Sequence, residues 1–281
     1  MPCYRPLKAY RKDGGGVAFD SKRGFADRRI ELPCGQCIGC RVRRSREWAM
    51  RCVHEAQMHE RNCFVTLTYC PQKLPADGSL RVEDFQKFCK RLRKRVGKFR
   101  FFHCGEYGEE NFRPHYHSLL FGVDFHFDRV LLKSGKFKLY TSATLDSAWK
   151  LGFATIGECT YESAAYVSRY VMKKITGKHA DEYYQGRKPE YITMSRRPGI
   201  GAGWFEKFSS DVYPSDEVVI DGRRFRPPRF YDERLDDQVI EPLKRKRKKA
   251  AVRFAKDLEH ERLRVREKVA EANLARLDRS L

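Results

Sequence analysis

The chain has no run of about 18 consecutive apolar residues, so the sequence predicts no membrane-spanning helix. Its opening stretch, MPCYRPLKAYRKDGGG, lacks the apolar core of a secretion signal. Together these predict a cytoplasmic protein. No G-x4-G-K-[ST] segment occurs, so there is no Walker A loop to cradle nucleotide phosphates and no built-in NTP-driven motor. No internal repeat is present, which excludes solenoids and propellers. Acidic residues are in deficit: 37 Asp and Glu face 58 Lys and Arg, a formal charge of +21 over 281 residues. That excess fits a polyanionic partner, and without a membrane segment the first candidate is nucleic acid. Ten cysteines in a reducing compartment read as core thiols and metal ligands rather than a disulfide frame.

What is present divides into four segments. Residues 1–60 form a cysteine-rich cap followed by an Arg-rich helix, with 1–33 expected to be loop-rich. Residues 61–176 carry the periodic core. FVTLTY at 64–69 reads as a buried strand, and 82–96 as a helix with Lys87, Lys90, Arg91, Lys94 and Arg95 on its exposed side. Strands follow at 99–106 and 115–122, then a helix at 142–150, a short strand at 153–156 and a helix at 161–175. This order predicts an α+β fold, an antiparallel sheet with flanking helices, expected on one face. Residues 177–240 are a turn-rich extension around the basic glycine loop SRRPGIGAGW, and 241–281 a basic helical tail opening with KRKRKK.

Within the core, His115 and His117 flank one bulky residue on a strand, where a period of two puts both imidazoles on one face. Glu106 ends the preceding strand, and a hairpin would bring its carboxylate beside them; Glu109 and Glu110 are alternatives. Mixed imidazole and carboxylate ligands with open positions suit Mg²⁺ or Mn²⁺, which polarise phosphodiester oxygens. On the helix at 161–175, Ala164, Val167, Val171 and Ile175 form the core stripe, while Tyr166, Arg169, Tyr170 and Lys173 form its neighbour at i, i+3, i+4 and i+7. Two phenols thus share a surface with two cations, which stabilise a phenolate. Cys34, Cys37 and Cys40 lie in a Gly-Pro-rich loop at C-x2-C-x2-C, and with Cys3 as fourth ligand they predict a structural Zn²⁺. Cys52 or His54 could replace Cys3. An iron–sulfur cluster fits less well, because Arg43 and Arg44 stand where its fourth cysteine is usual. Arg41, Arg44, Lys174, Arg196 and Arg197 are candidate phosphate contacts.

FVTLTY, HYH and YVSRYVMKK, in this order, resemble the three motifs of the HUH endonuclease superfamily. With PCGQCIGC, REWAMRC, GEYGEENFRPHYH and MSRRPGIG, residues 1–210 resemble the replication initiation proteins of gokushovirus-type microviruses, small single-stranded DNA phages. The resemblance implies a ferredoxin-like or RRM-like HUH core. It further implies rolling-circle initiation: a tyrosine nicks single-stranded origin DNA, forming a 5′-phosphotyrosine and a free 3′-OH, and the strand is later rejoined into a circle. The metal would be held by His115, His117 and Glu106, with Lys173 and Arg169 serving the tyrosines, although arginine at 169 departs from the usual lysine. Host helicase and DNA polymerase would be partners, in the bacterial cytoplasm. Three other readings stay open: a relaxase or transposase of the same superfamily, a metal phosphodiesterase using water, and a zinc-dependent nucleic-acid-binding protein without catalysis.

Overall fold

The computed structural model describes residues 2–108, 111–135, 137–173 and 180–276, with backbone alone for 170–173. Its contacts resolve two units, Met1–Arg44 with Leu235–Ser280, and Ser45–Arg234. In the first, β1 (Leu7–Arg11) pairs antiparallel with both β2 (Val17–Ala18) and β3 (Arg29–Leu32). The expected loop-rich cap is therefore a small sheet. Its strands are short and bury little besides Ala9 and Ala18, so they leave no alternation to read. Glycines 14, 15 and 16, all at positive φ, form the turn between β1 and β2 that side-chain-bearing residues would resist.

Helix α1 (Ile38–Ala56) leads from the first unit into the second. There follow β4 (Asn62–Tyr69), α2 (Val82–Val96), β5 (Arg100–Tyr107), β6 (Pro114–Phe121), β7 (Arg129–Lys133), β8 (Leu139–Ser142), α3 (Ala143–Trp149), β9 (Gly152–Glu158) and α4 (Tyr161–Lys173). After them come α5 (Ala180–Tyr184), β10 (Tyr191–Met194), α6 (Ala202–Val212), β11 (Val218–Ile220), β12 (Arg223–Phe225) and α7 (Arg229–Asp232). The first unit is completed by α8 (Asp237–Val252) and α9 (His260–Ala275).

Seven strands form one antiparallel sheet in the order β10-β5-β6-β4-β9-β8-β7. The hairpin β7–β8 and the edge strand β10 were not foreseen. Every residue of β7 is exposed, which erases the period-two signal, and β10 lies in the stretch read as turns. Helices cover both faces, not one. On one face Phe85, Phe88 and Leu92 of α2 and Leu145, Ala148 and Trp149 of α3 pack on Val65, Leu67, Tyr116, Leu120 and Ile156. Burying each large apolar side chain contributes roughly 1.5–3 kcal/mol. On the other face Ala49 and Cys52 of α1 and Ala164 and Val167 of α4 pack on Phe64, Phe102, Cys104, Leu119 and Phe121.

Arg91, expected among the exposed cations, instead turns inward. Its guanidinium donates to the carbonyls of Ala148 and Trp149 at 2.6 and 3.0 Å, satisfying acceptors that the end of α3 leaves without helical partners. Among the described residues no helix is long and apolar enough to cross a membrane.

Candidate active site and metal-binding groups

Register builds the first group. β5 and β6 pair so that Glu106 opposes His115 and Cys104 opposes His117, while β4 sets Thr68 against His115 and Thr66 against His117. Side chains on directly opposed residues share a face, so carboxylate, imidazoles and threonines converge. Both Nε2 atoms point at one Glu106 oxygen, 2.8 Å from His115 and 2.7 Å from His117. The Nδ1 atoms are engaged elsewhere, by the Arg113 carbonyl at 3.1 Å for His115 and by Thr66 Oγ1 at 3.0 Å for His117. A carbonyl can only accept, so His115 carries a hydrogen on Nδ1 and offers a lone pair on Nε2 to the carboxylate when neutral. Two acceptors at that distance need a cation between them, a proton or a metal ion.

Burial alone would raise the Glu106 carboxyl, but the bonds to His115 and His117 outweigh it and hold its pKa at about 2. It is therefore a carboxylate at neutral pH. The three ligand atoms lie within 4.8 Å of one another and could hold a metal ion. The donor set fits a divalent cation of hard or borderline character, and each imidazole already has the second partner that metal-bound histidines use to fix their ring. Thr66 was not singled out by the sequence, which gave FVTLTY as a buried strand resembling the first HUH motif but assigned no role to its threonines. In the structure Val65, Leu67 and Tyr69 are buried, whereas Thr66 and Thr68 stay half-buried on the histidine face.

Helix α4 adds the phenol. Its start is fixed by reciprocal bonds, Ser163 N–H to Thr160 Oγ1 and Thr160 N–H to Ser163 Oγ, and its inner stripe, Ala164 and Val167, is fully buried. Tyr166 then stands over the sheet with its ring perpendicular to His117, centroids 5.1 Å apart, and edge-on to Phe64 at 6.1 Å. The Arg169 guanidinium lies 5.3 Å from the Tyr166 ring centre. Tyr170 and Lys173 belong to α4, but their side chains lie outside the described residues, as do Glu109, Glu110 and Lys174. Arg44, Arg196 and Arg197 are exposed and Arg41 is half-buried.

The second group lies in the first unit. Sγ of Cys3 is 3.6 Å from that of Cys34 and 3.8 Å from that of Cys37, and all four sulfurs, with Cys40, fall within 4.8 Å of one another. Thiolates about 2.3 Å from a tetrahedral zinc sit about 3.8 Å apart, so the spacing fits that ion. Backbone N–H groups point at the sulfurs, from Tyr4 to Cys37 and from Gln36 and Cys37 to Cys34. Burial raises Cys37, but backbone bonds at Cys40 and Tyr4 and the neighbouring thiols bring it to about 7, while burial pushes Cys3 up to about 12. Neither alternative fourth ligand joins this group. Cys52 is buried beneath the large sheet, and His54 Nδ1 is bonded to Tyr231 Oη at 2.8 Å.

Fold, charge and geometry thus define a strongly basic α+β protein with two clusters able to hold metal, one of them beside a tyrosine helix. Residues 62–175 match the family model described as replication-associated protein ORF2/G2P. The chain is 33% identical to replication-associated protein ORF2 of Spiroplasma virus 4, over 90% of this chain and 88% of that one. It is 32% identical to replication-associated protein VP4 of Bdellovibrio phage phiMH2K, over 83% and 76%, and 31% identical to replication-associated protein ORF4 of Chlamydia phage 1, over 75% and 55%. It belongs to this family of microvirus replication-associated proteins. No solved structure matches the chain significantly.

Proposed function

We propose that this protein initiates rolling-circle replication by nicking single-stranded origin DNA through a tyrosine, and later rejoins the strand. The reading is supported above all by the phenol ring of Tyr166, the side chain such a nucleophile requires, whose centre lies 5.1 Å from that of His117 in the three-ligand cluster. A Mg²⁺ or Mn²⁺ ion bound by Glu106, His115 and His117 would withdraw charge from the scissile phosphate.

The phenol oxygen attacks phosphorus and the bond to the 3′ oxygen breaks. The 5′ side becomes a phosphotyrosine, and the 3′ oxygen gains a proton and leaves as a free 3′-OH. One phosphoester replaces another, so strand joining by the reverse attack needs no nucleotide energy, in keeping with the missing Walker A loop. Arg169 serves the Tyr166 phenolate and Lys173 that of Tyr170, and the two phenols alternate so that the second round can release the first strand as a circle. Arg41, Arg44, Lys174, Arg196 and Arg197 hold backbone phosphates through contacts that salt weakens. Cys3, Cys34, Cys37 and Cys40 hold a structural Zn²⁺. Unwinding and extension fall to host helicase and DNA polymerase, in the bacterial cytoplasm.

Incubating the protein with single-stranded origin DNA and Mg²⁺ or Mn²⁺, followed by a denaturing gel, tests this directly. A shifted covalent adduct is expected from the wild type and none from the Tyr166→Phe, Tyr170→Phe double variant. An adduct surviving in the double variant refutes the nucleophiles. Cleavage without attached protein identifies a water-using phosphodiesterase, and EDTA-insensitive binding without a cut identifies a non-catalytic binder. Cutting confined to a transfer origin or a transposon end identifies a relaxase or transposase.

A further inference from the structure

Beside the metal-binding cluster, one stretch of the large sheet's helix-bearing face keeps exposed side chains among the described residues. Helix α4 packs on β5, β6 and β10, and among the described residues the rows of β4 and β9 nearest Glu106 keep half-buried or exposed side chains on that face. Alternating burial marks it. On β4 the buried Val65, Leu67 and Tyr69 alternate with half-buried Thr66 and Thr68, and on β9 buried Ala154 and Ile156 alternate with exposed Phe153 and half-buried Thr155. Phe153 is 65% exposed.

Single exposed apolar side chains are ordinary on protein surfaces. Register sets this one apart. Phe153 opposes Thr68, Thr68 opposes His115, and His115 opposes Glu106, so one row across four strands runs from the ring to the cluster. Neighbouring strands lie about 4.8 Å apart, which puts the Phe153 backbone roughly 10 Å from that of His115, on the scale of one to two nucleotides of extended strand. The next row, Thr155, Thr66, His117 and Cys104, repeats the pattern, with hydroxyls beside an imidazole.

The position is held by the backbone. Gly152, at φ +157°, begins β9 so close to β4 that a Cβ there would lie 2.2 Å from both Thr68 O and Cys70 N. No other residue allows that approach, and it is this approach that brings Phe153 opposite Thr68. Farther out the same face carries exposed Val130 and Lys133 on β7 and half-buried Thr141 on β8. An aromatic ring, a hydroxyl-bearing floor and a cation suit an unpaired nucleic-acid strand, whose bases stack while its phosphates meet donors and positive charge. The chain's +21 charge favours that occupant over an acidic-poor protein partner.

We propose that Phe153 and the β4–β9–β8 rows beside the cluster form a platform on which a base flanking the scissile phosphate stacks, so that Phe153 is a positioning residue for the strand. The proposal rests on the nicking reading above for its purpose, but its binding is measured apart from chemistry. The probes are fluorescein-labelled oligothymidylate and an abasic oligomer of the same length, titrated by anisotropy with the full chain and no added Mg²⁺ or Mn²⁺.

Phe153→Ala should weaken oligothymidylate binding on the order of tenfold, since base–aromatic stacking contributes on that scale, and should leave abasic binding unchanged. Phe153→Trp should restore it and Phe153→Leu should not. In the nicking assay the same alanine variant should need more DNA for half-maximal adduct while forming it at the wild-type rate at saturation. Equal affinity of wild type and alanine variant for oligothymidylate overturns the platform, as does rescue by leucine as complete as by tryptophan. A wild type that binds with this base dependence yet forms no adduct in Mg²⁺ or Mn²⁺ defeats the nicking reading and leaves the platform standing.

Discussion

At the scale of single residues, the cluster's chemistry depends on groups that never touch a substrate. Thr66 Oγ1 at 3.0 Å fixes which nitrogen of His117 turns toward Glu106. Replacing Thr66 by valine keeps the shape and removes that partner. We expect metal-dependent adduct formation to fall roughly 10–100-fold, with the Mn²⁺ concentration for half-maximal yield raised and serine restoring both. An unchanged metal titration would show that His117 is oriented by other contacts. HYH and Glu106 were legible because a strand's period of two needs only local sequence. Thr66 was not, since its meeting with His117 depends on which of two strands 51 residues apart pair, and in what register. Phe153 escaped for the same reason.

Among elements, the glycine loop read from sequence as a phosphate contact is also a clamp on α1. Arg51 lies between the rings of Trp48 and Phe230, at 3.9 and 3.5 Å, and donates to the Ile200 carbonyl at 2.9 Å. Glu55 accepts from Gly201 N–H at 2.7 Å and is paired with Arg100. One turn along, His54 stacks on Trp204 of α6 at 3.6 Å and meets Tyr231 of α7. Burial brings its pKa down from the ordinary 6.5 to about 3. Above about 6.5 the ring is neutral in both the folded and the unfolded chain. Below that value only the unfolded chain takes up the proton, so the folded state loses stability as pH falls toward 3. Urea midpoints at about pH 7 and about pH 5 should therefore differ more for the wild type than for His54→Asn, which does not titrate. Parallel pH slopes would mean that His54 titrates alike in both states. The strongly amphipathic α2 was readable within the sequence, its bounds included, whereas β7 and β10 were not. The fully exposed β7 needs no alternation of its own, and β10 takes its partner, β5, from far along the chain.

For the molecule as a whole, segments from both ends of the chain build one unit. Leu263 and Ala270 of α9 pack with Tyr4, Cys37 and Cys40, and Arg5 donates to Glu267 at 2.9 Å. Sequence periodicity showed a helical tail but not its seat, because the contact spans 262 positions. If a zinc ion ties the four thiolates, chelation or Cys37→Ser should speed hydrogen exchange along α9 while β4, β5 and β6 keep their protection. Unaltered exchange in α9 would separate the tail from the metal. The discontinuity of this unit also sets an order of assembly. Every strand of the large sheet lies between the cysteine segment and the helices α8 and α9 in chain order. Within this unit the four thiols are therefore synthesised ahead of the helix that packs on them, with the large sheet made in between.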